Sequence, residues 1–182
     1  MAKPAVGIIV GSNRRESINR RLAKALAKLE SDRLDFTWIG IDDLPMYNQD
    51  LEDARPDVVH RFTGEIARMT GLLFVTPEHN RSIPAVLKNA IDWGSKPTEQ
   101  NVWRGKVAAI TGTSFGAIGT AVGQQHLRQI LGILGVLVMG GEAYISFRPD
   151  PVDDDGHFLD ESKRAFCADY MDRFVALVMR FA

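Results

Sequence analysis

The sequence predicts a three-layer α/β/α sandwich built on a five-stranded parallel sheet with strand order 2-1-3-4-5. Short apolar runs alternate along the chain with longer segments whose apolar residues recur at helical spacing. No internal repeat or low-complexity linker interrupts this alternation, so we expect a single domain over residues 1–182. Unusual polar loops follow the first, third and fourth runs, and in a parallel sheet such loops lie at one edge.

Five short apolar runs are predicted to be strands. They are too short for helices and are bounded by turn-forming residues. They are Ala5–Val10, Leu34–Ile41, Leu72–Val75, Val107–Ile110 and about Val136–Met139. The uninterrupted apolarity of the third run indicates a strand that is buried on both faces.

Five segments with helical spacing of apolar residues are predicted to be helices. Ser17 suits the N-cap of the first helix, and Pro56 suits the first turn of the second. The predicted helices are Ile18–Leu29, Val58–Met69, Ala85–Trp93, about Thr120–Leu134 and Asp160–Phe181. On the last helix we expect the inner face to consist of Phe166, Tyr170, Phe174, Leu177 and Val178.

The loop Gly11–Asn19 between the first strand and the first helix indicates a phosphate site. A helix N-terminus presents unpaired N–H groups and the positive end of the helix dipole. The loop is neither GxxxxGK[ST] nor GxGxxG, which argues against the triphosphate and dinucleotide motifs. Its hydroxyl, amide and guanidinium donors suit a terminal phosphate monoester. The alternative is a plain strand-to-helix turn with solvated arginines.

The composition excludes several function classes. A net charge of −1 offers no basic excess for a nucleic-acid backbone, so we expect no nucleic-acid partner. The single cysteine, Cys167, excludes an internal disulfide and a cysteine metal cluster, and we expect it to be a packed residue. The apolar runs are too short for a signal segment or a membrane span, so we expect a cytoplasmic protein without a membrane partner.

Four segments, in order and at similar spacing, resemble the NAD(P)H-dependent FMN reductase family, and within it the bacterial quinone/chromate reductase branch. The third segment, from Thr76 to Trp93, is the most specific. The segments are Gly11–Asn19, Pro45–Asp50, Thr76–Pro84 with Leu87–Trp93, and Gln125–Leu131. The resemblance implies a flavodoxin-like fold, noncovalently bound FMN, NAD(P)H as co-substrate, a small-molecule electron acceptor, and assembly as a homodimer or homotetramer.

Site residues carried over by this resemblance fall into three groups around the flavin. Ser12, Arg14, Ser17, Ile18 and Asn19 are expected at the FMN phosphate. Pro77, Glu78, His79, Asn80 and Ser82 are expected along the edge of the ring system. The stretch Ser114–Gly119, with Ser114, Gly116 and Gly119 as cofactor contacts, is expected to close the other side of the ring. The segment Tyr47–Asp50 is expected near the flavin edge or a partner subunit.

Two residues depart from the family pattern beside the flavin. His79 and Arg81 stand where the family usually has tyrosines, and Ala85 replaces a common glycine. Histidine changes charge near neutral pH, so His79 is either a modulator of electron transfer or an exposed loop residue. Glu78 is expected to have a structural role, since hydride transfer to a flavin needs no protein acid. No other catalytic side chain is expected.

The remaining charged residues leave alternatives open. Arg15 and Arg81 suit the 2′-phosphate of NADPH, because guanidinium groups pair bidentately with phosphate, or are simply solvated. Arg128 and Glu142 meet across a subunit interface or pair within one chain. Asp150–Glu161 does not fit an EF-hand, and the histidines have no second ligand at useful spacing, so we expect no metal.

The sequence therefore predicts an FMN-dependent oxidoreductase. It takes hydride from NAD(P)H onto FMN and reduces quinone, flavin, azo or chromate-type acceptors in a ping-pong cycle. One alternative is a flavodoxin-like electron carrier without nicotinamide turnover, although such carriers usually have acidic docking surfaces. The other is a phosphate-ligand binding module without flavin.

Overall fold

The computed structural model describes residues 2–182 and contains one six-stranded parallel sheet in the order β2-β1-β3-β4-β5, with β6 also paired to β4. The predicted strand order is confirmed. The strands are β1 (Ala5–Val10), β2 (Asp35–Trp38), β3 (Gly71–Val75), β4 (Val107–Ser114), β5 (Leu137–Val138) and β6 (Ala143–Ser146). The central strands β1, β3 and β4 are almost wholly buried, whereas β2 at the edge exposes Asp35 and Trp38.

Five α-helices cover the two faces of this sheet, as predicted. Ser17 caps the first helix, its Oγ accepting a hydrogen bond from the Arg20 N–H, and Pro56 and Pro84 immediately precede the second and third. The helices are α1 (Ile18–Leu29), α2 (Asp57–Ala67), α3 (Ala85–Ser95), α4 (Ala121–Ile133) and α5 (Glu161–Met179).

Two large apolar cores, one on each face of the sheet, confirm the three-layer arrangement. Side chains of α1 and α5, including Leu22 and Phe174, pack against one face of the sheet. Side chains of α2, α3 and α4, including Phe62, Leu87 and Leu127, pack against the other face. Because both faces are covered, the loops at the carboxyl edge of the sheet are the parts of the chain that are free to form a site.

The outer strand of the sheet is broken in two, which the sequence did not predict. Val107 is paired with Leu137 whereas Thr111 is paired with Ala143, so the outer strand contains two more residues than the matching stretch of β4. The extra residues fall around Gly140 and Gly141, and Gly141 has a positive φ of 78° that ends strand geometry. Strand β6 was missed because these glycines separate a weak alternating pattern from β5.

Strand β4 runs four residues beyond its predicted end, to Ser114, because β6 pairs with that extension. The inner face of α5 is also different from the predicted one. Tyr170, Phe174 and Val178 are buried as expected, but Phe166 is exposed and the neighbouring Cys167 is buried in its place. Among residues 2–182, no helix has both the length and the apolarity required to cross a bilayer.

Candidate functional site

The loops after β1, β3 and β4 meet at the carboxyl edge of the sheet and enclose one cavity of about 350 Å³. Residues 11–14 and 17–19 form one end, residues 77–79, 84 and 86 form the other, and residues 113–115 form the side between them. A cavity of this size is in the range of small-ligand sites. One ligand can therefore touch all three loops.

The end formed by the β1–α1 loop carries the donors that a phosphate needs. Ser17 is the N-cap of α1, and the following N–H groups of Ile18 and Asn19 have no acceptor within residues 2–182. The Ser12 hydroxyl and the exposed Arg14 guanidinium line the same end of the cavity. Hydroxyl, N–H and guanidinium donors together at a helix N-terminus fit a terminal phosphate monoester.

Asn19 lines this end of the cavity, but its amide is engaged inside the protein. Its Nδ2 donates to the Thr113 carbonyl at 3.0 Å, and its Oδ1 accepts from the Thr113 N–H at 2.9 Å. Asn19 and Thr113 are both buried. This pair of hydrogen bonds fixes the start of α1 to the end of β4, so Asn19 holds two of the three loops in a fixed position relative to each other.

The opposite end of the cavity is largely apolar. Pro77, Pro84 and Val86 line it together with Glu78 and His79. A phosphate-binding end and an apolar end suit a ligand that carries a planar ring system on a phosphate tail. FMN is such a ligand, and both the phosphate donors and the apolar wall of the cavity fit it.

The Glu78 carboxylate is directed away from solvent and binds the N-terminus of α4. Its Oε2 accepts from the Gly123 N–H at 3.0 Å, and its Oε1 lies 3.4 Å from Arg81 Nη1. Thr120, the N-cap residue of α4, makes no capping side-chain bond, so Glu78 provides this from another loop. The structural role expected for Glu78 agrees with this geometry.

A tight turn shapes the loop after β3. The His79 N–H donates to the Ser82 carbonyl and the Ser82 N–H donates to the His79 carbonyl, both at 2.9 Å. The two central residues, Asn80 and Arg81, have φ values of 51° and 63°, the pattern of a type I′ turn. The turn directs Asn80 and Arg81 outward, and the Ser82 hydroxyl lies 3.1 Å from His126 Nδ1.

The loop after β4 is held by its own serine. Ser114 Oγ donates to the Gly119 carbonyl at 2.7 Å and accepts from the Gly116 N–H at 3.2 Å. Gly119 has a φ of 59°, and a Cβ there would lie 2.9 Å from the Ile145 backbone nitrogen. These contacts close the loop on itself and leave Phe115, half exposed, beside the cavity.

Most of the residues predicted to contact the cofactor are brought together by the fold. The residues that line the cavity are Ser12, Arg14, Ser17, Ile18, Asn19, Pro77, Glu78, His79 and Ser114. Asn80, Ser82, Gly116 and Gly119 do not line it and instead shape the two loops. Sequence reasoning missed Pro84, Val86 and Thr113, whose only signal was their position beside predicted residues. Gly11, Asn13 and Phe115 also line the cavity and lie within the loops that were expected around the ligand, but they were not named as contacts.

The segment Tyr47–Asp50 does not line the cavity. The Tyr47 N–H donates to Asn89 Oδ1 at 2.7 Å, and the Tyr47 ring packs edge-on against Trp93 at 5.2 Å. A hydrogen bond to Glu52 raises the pKa of the Tyr47 hydroxyl to about 12, so this hydroxyl stays protonated at physiological pH. Within residues 2–182, no three His, Cys, Asp or Glu side chains are grouped to hold a metal ion.

A parallel 2-1-3-4-5 sheet with a phosphate-type cavity at its carboxyl edge defines a flavodoxin-like protein. The sequence pattern of the NADPH-dependent FMN reductases matches residues 4–150, and the chain belongs to this family. It is therefore an oxidoreductase that uses FMN, with NAD(P)H as co-substrate.

Similar proteins include enzymes that act on quinones. The chain is 45% identical over 174 residues to a 2-hydroxy-1,4-benzoquinone reductase from a Burkholderia species, which covers 95% of each chain. It is 44% identical to a quinone reductase from Pseudomonas putida, covering 96% of this chain and 94% of that one. The solved structure of FerB, a flavoenzyme NAD(P)H:(acceptor) oxidoreductase from Paracoccus denitrificans, has a TM-score of 0.94 at 41% identity and covers 98% of each chain.

Proposed function

We propose that this protein is a quinone reductase that binds FMN in the cavity formed by the loops after β1, β3 and β4 and uses NAD(P)H as its reductant. The observation that carries the proposal is the meeting of phosphate donors and an apolar wall in that one cavity. The quinone reductases that resemble this chain over 94% or more of their lengths support the choice of acceptor.

Each part of the cavity has a separate task in this proposal. Ser12, Arg14, Ser17 and the N–H groups of Ile18 and Asn19 hold the phosphate. Pro77, Pro84 and Val86 position the ring system, which when bound takes hydride from the nicotinamide and passes electrons to the acceptor. Glu78 holds the ring-side loop against α4 and transfers no proton, since its carboxylate is bound to Gly123 and Arg81.

The acceptor uses the same open face that the nicotinamide has left, so we propose a ping-pong cycle. Exposed residues, among them His79 and Phe115, form part of the cavity lining, so the cavity is open to solvent and sets little restriction on acceptor shape. Quinones are the proposed main acceptors, and free flavin, azo compounds and chromate are proposed as further ones. We also propose a homodimer or homotetramer, to which the exposed Met46 and Ile133 would contribute apolar surface.

The test is the visible absorption spectrum of the purified protein, followed by anaerobic titration with NADPH and steady-state turnover with benzoquinone. We expect a flavin spectrum with FMN added, stoichiometric bleaching by NADPH, and parallel lines in double-reciprocal plots. A flavin spectrum without bleaching would favour the electron carrier, and a protein that stays colourless with FMN would favour the phosphate-binding module.

His79 is proposed to tune the acceptor half of the cycle. It is exposed and lines the ring end of the cavity, in a place where the family usually has tyrosine. Its imidazole can donate a hydrogen bond to a quinone oxygen when protonated. The variant His79→Tyr is expected to change the pH profile of quinone turnover, whereas identical profiles would remove His79 from this role.

A further inference from the structure

A second cavity of about 570 Å³ adjoins the FMN cavity on the α1 side. We call it the arginine groove, and it is lined by residues 14–18, 20, 21 and 24 of the first loop and helix, by Phe115 and Phe147, and by Asp150 and Asp154. The two cavities share Arg14, Ser17, Ile18 and Phe115. A ligand that lies over the flavin can therefore continue into the arginine groove.

One arginine pairs with both aspartates of the arginine groove. The Arg21 guanidinium lies 3.2 Å from Asp154 and 3.8 Å from Asp150, and it also donates to the carbonyls of Val152 and Asp153. The same guanidinium lies 5.0 Å from the centre of the Phe147 ring. Arg21 is thus a fixed part of the wall, and it is not free to bind a ligand.

Two other arginines of the groove have no internal partner. Arg15 and Arg20 are exposed, and within residues 2–182 neither forms an ion pair. Five basic and three acidic residues line the groove, which leaves an excess of two positive charges. Arg14 faces both cavities and is assigned to the FMN phosphate, and Lys24 Nζ donates to the Asp154 carbonyl at 3.3 Å, so Arg15 and Arg20 remain for a second anionic group.

We propose that the arginine groove binds the adenosine half of NADPH and that Arg15 and Arg20 bind its 2′-phosphate. A phosphate monoester carries close to two negative charges at neutral pH, which matches the charge of the two arginines. The cavity volume is in the range for a ligand of nucleotide size. Phe115, half exposed at the junction of the two cavities, offers an apolar surface between nicotinamide and adenosine.

This inference rests on the proposed function and makes the protein selective for NADPH over NADH. It also distinguishes Arg15 from Arg81, which the sequence offered as equal candidates for the 2′-phosphate. Arg81 lies on the outward-facing turn after β3, where its Nη1 is 3.4 Å from Glu78 Oε1, and it does not line the arginine groove. The geometry therefore assigns the 2′-phosphate to Arg15 and Arg20 and not to Arg81.

The first test is a binding measurement that does not depend on turnover. The FMN-loaded protein is titrated calorimetrically with 2′,5′-ADP and with 5′-AMP, which differ only in the 2′-phosphate. We expect 2′,5′-ADP to bind about tenfold or more tightly than 5′-AMP, and Arg15→Gln or Arg20→Gln each to remove most of that difference. Equal affinity of the two nucleotides for the unmodified protein would overturn the proposal.

The second test is the ratio of kcat/KM for NADPH to that for NADH. Arg15→Gln and Arg20→Gln are expected to lower the ratio by about tenfold each through NADPH alone. Arg164→Gln, which removes an exposed arginine on α5 that is paired with Glu161, is the matched control and keeps the ratio. Equal losses for both coenzymes, or a collapse of the ratio in Arg81→Gln, would contradict the assignment.

The two proposals fail in different ways. If the unmodified protein oxidises neither coenzyme, the proposed function fails, while the preference for 2′,5′-ADP still decides whether the groove binds a 2′-phosphate. If both coenzymes are oxidised at similar rates and neither arginine variant changes the ratio, the function stands and the arginine groove is not a coenzyme site.

Discussion

Asn19 offers a sharp test of how the site is built, because it was predicted as an FMN contact and the structure shows it bonded at both amide atoms to the Thr113 backbone. Replacement by alanine removes both partners of Thr113, whose N–H and carbonyl lie in a buried region. We expect Asn19→Ala to destabilise the protein even when no FMN is present.

The magnitude follows from the number of groups that are left without a partner. A buried polar group that loses its hydrogen bond costs about 1–3 kcal/mol, so two groups cost about 2–6 kcal/mol. This is a large part of the stability of an ordinary domain, which is about 5–15 kcal/mol. With a urea m-value of about 2 kcal/mol/M, the midpoint of unfolding should fall by about 1–3 M.

The assay is urea unfolding of the wild-type protein, Asn19→Ala and Asn19→Asp, with and without saturating FMN. Asn19→Asp keeps the shape but places a carboxylate oxygen against the Thr113 carbonyl, so we expect it to be as damaging as alanine. Asn13→Ala is the control, because Asn13 is exposed in the same loop, and we expect it to change the unfolding free energy by less than about 0.5 kcal/mol. A loss of stability in Asn19→Ala that appears only with FMN would show that Asn19 acts on the ligand, and the reasoning above would be wrong.

Three further predictions test other parts of the structure. Glu78→Ala should weaken FMN binding several-fold, as followed by flavin fluorescence, whereas Glu78→Gln should keep most of the affinity because it still accepts from the Gly123 N–H. Burial raises the pKa of the Cys167 thiol to about 12, so alkylation by iodoacetamide at pH 8 (about the reference pKa of a free thiol) should be undetectable by mass spectrometry until urea unfolds the protein. Hydrogen bonds from the Lys163 N–H and the Ser162 hydroxyl hold the pKa of Asp160 below its usual value. The ionised Asp160 carboxylate therefore stabilises the folded protein above about pH 4, and this stabilisation is lost as the pH falls through the lowered pKa of the folded state. The difference in urea midpoint between wild type and Asp160→Asn should accordingly shrink with acidification, and a constant difference would contradict this role.

Local patterns in the sequence predicted most of the secondary structure and the strand order. Apolar runs and helical spacing placed five of the six strands and all five helices, since these patterns depend on residues within about one turn of each other. Ser17 was identified as the first cap because its partner, Arg20, is three residues away. The meeting of three loops also followed from the sequence, because parallel strands place their carboxyl ends at one edge.

Contacts between distant segments needed the tertiary structure. Asn19 bonds to Thr113, 94 residues away, and Glu78 bonds to Gly123, 45 residues away, so neither role is visible in the local pattern. Strand β6 was missed because its place depends on the extension of β4 with which it pairs. Phe166 was predicted to be buried but is exposed, and the neighbouring Cys167 is buried instead, because the rotation of α5 about its axis is set by the elements it packs against.

The sequence by itself determined the order of strands and helices and the family to be expected, and it predicted a phosphate site in the first loop. The tertiary structure alone decided which polar groups of those loops remain free for a ligand. It uses Asn19, Glu78 and Arg21 for internal hydrogen bonds and ion pairs, and it leaves Arg15 and Arg20 unpaired beside the cavity. The physical reason is that the residue type fixes which groups a side chain can offer for hydrogen bonds and ion pairs. Which partners it finds depends on distant segments that only folding brings within hydrogen-bonding distance.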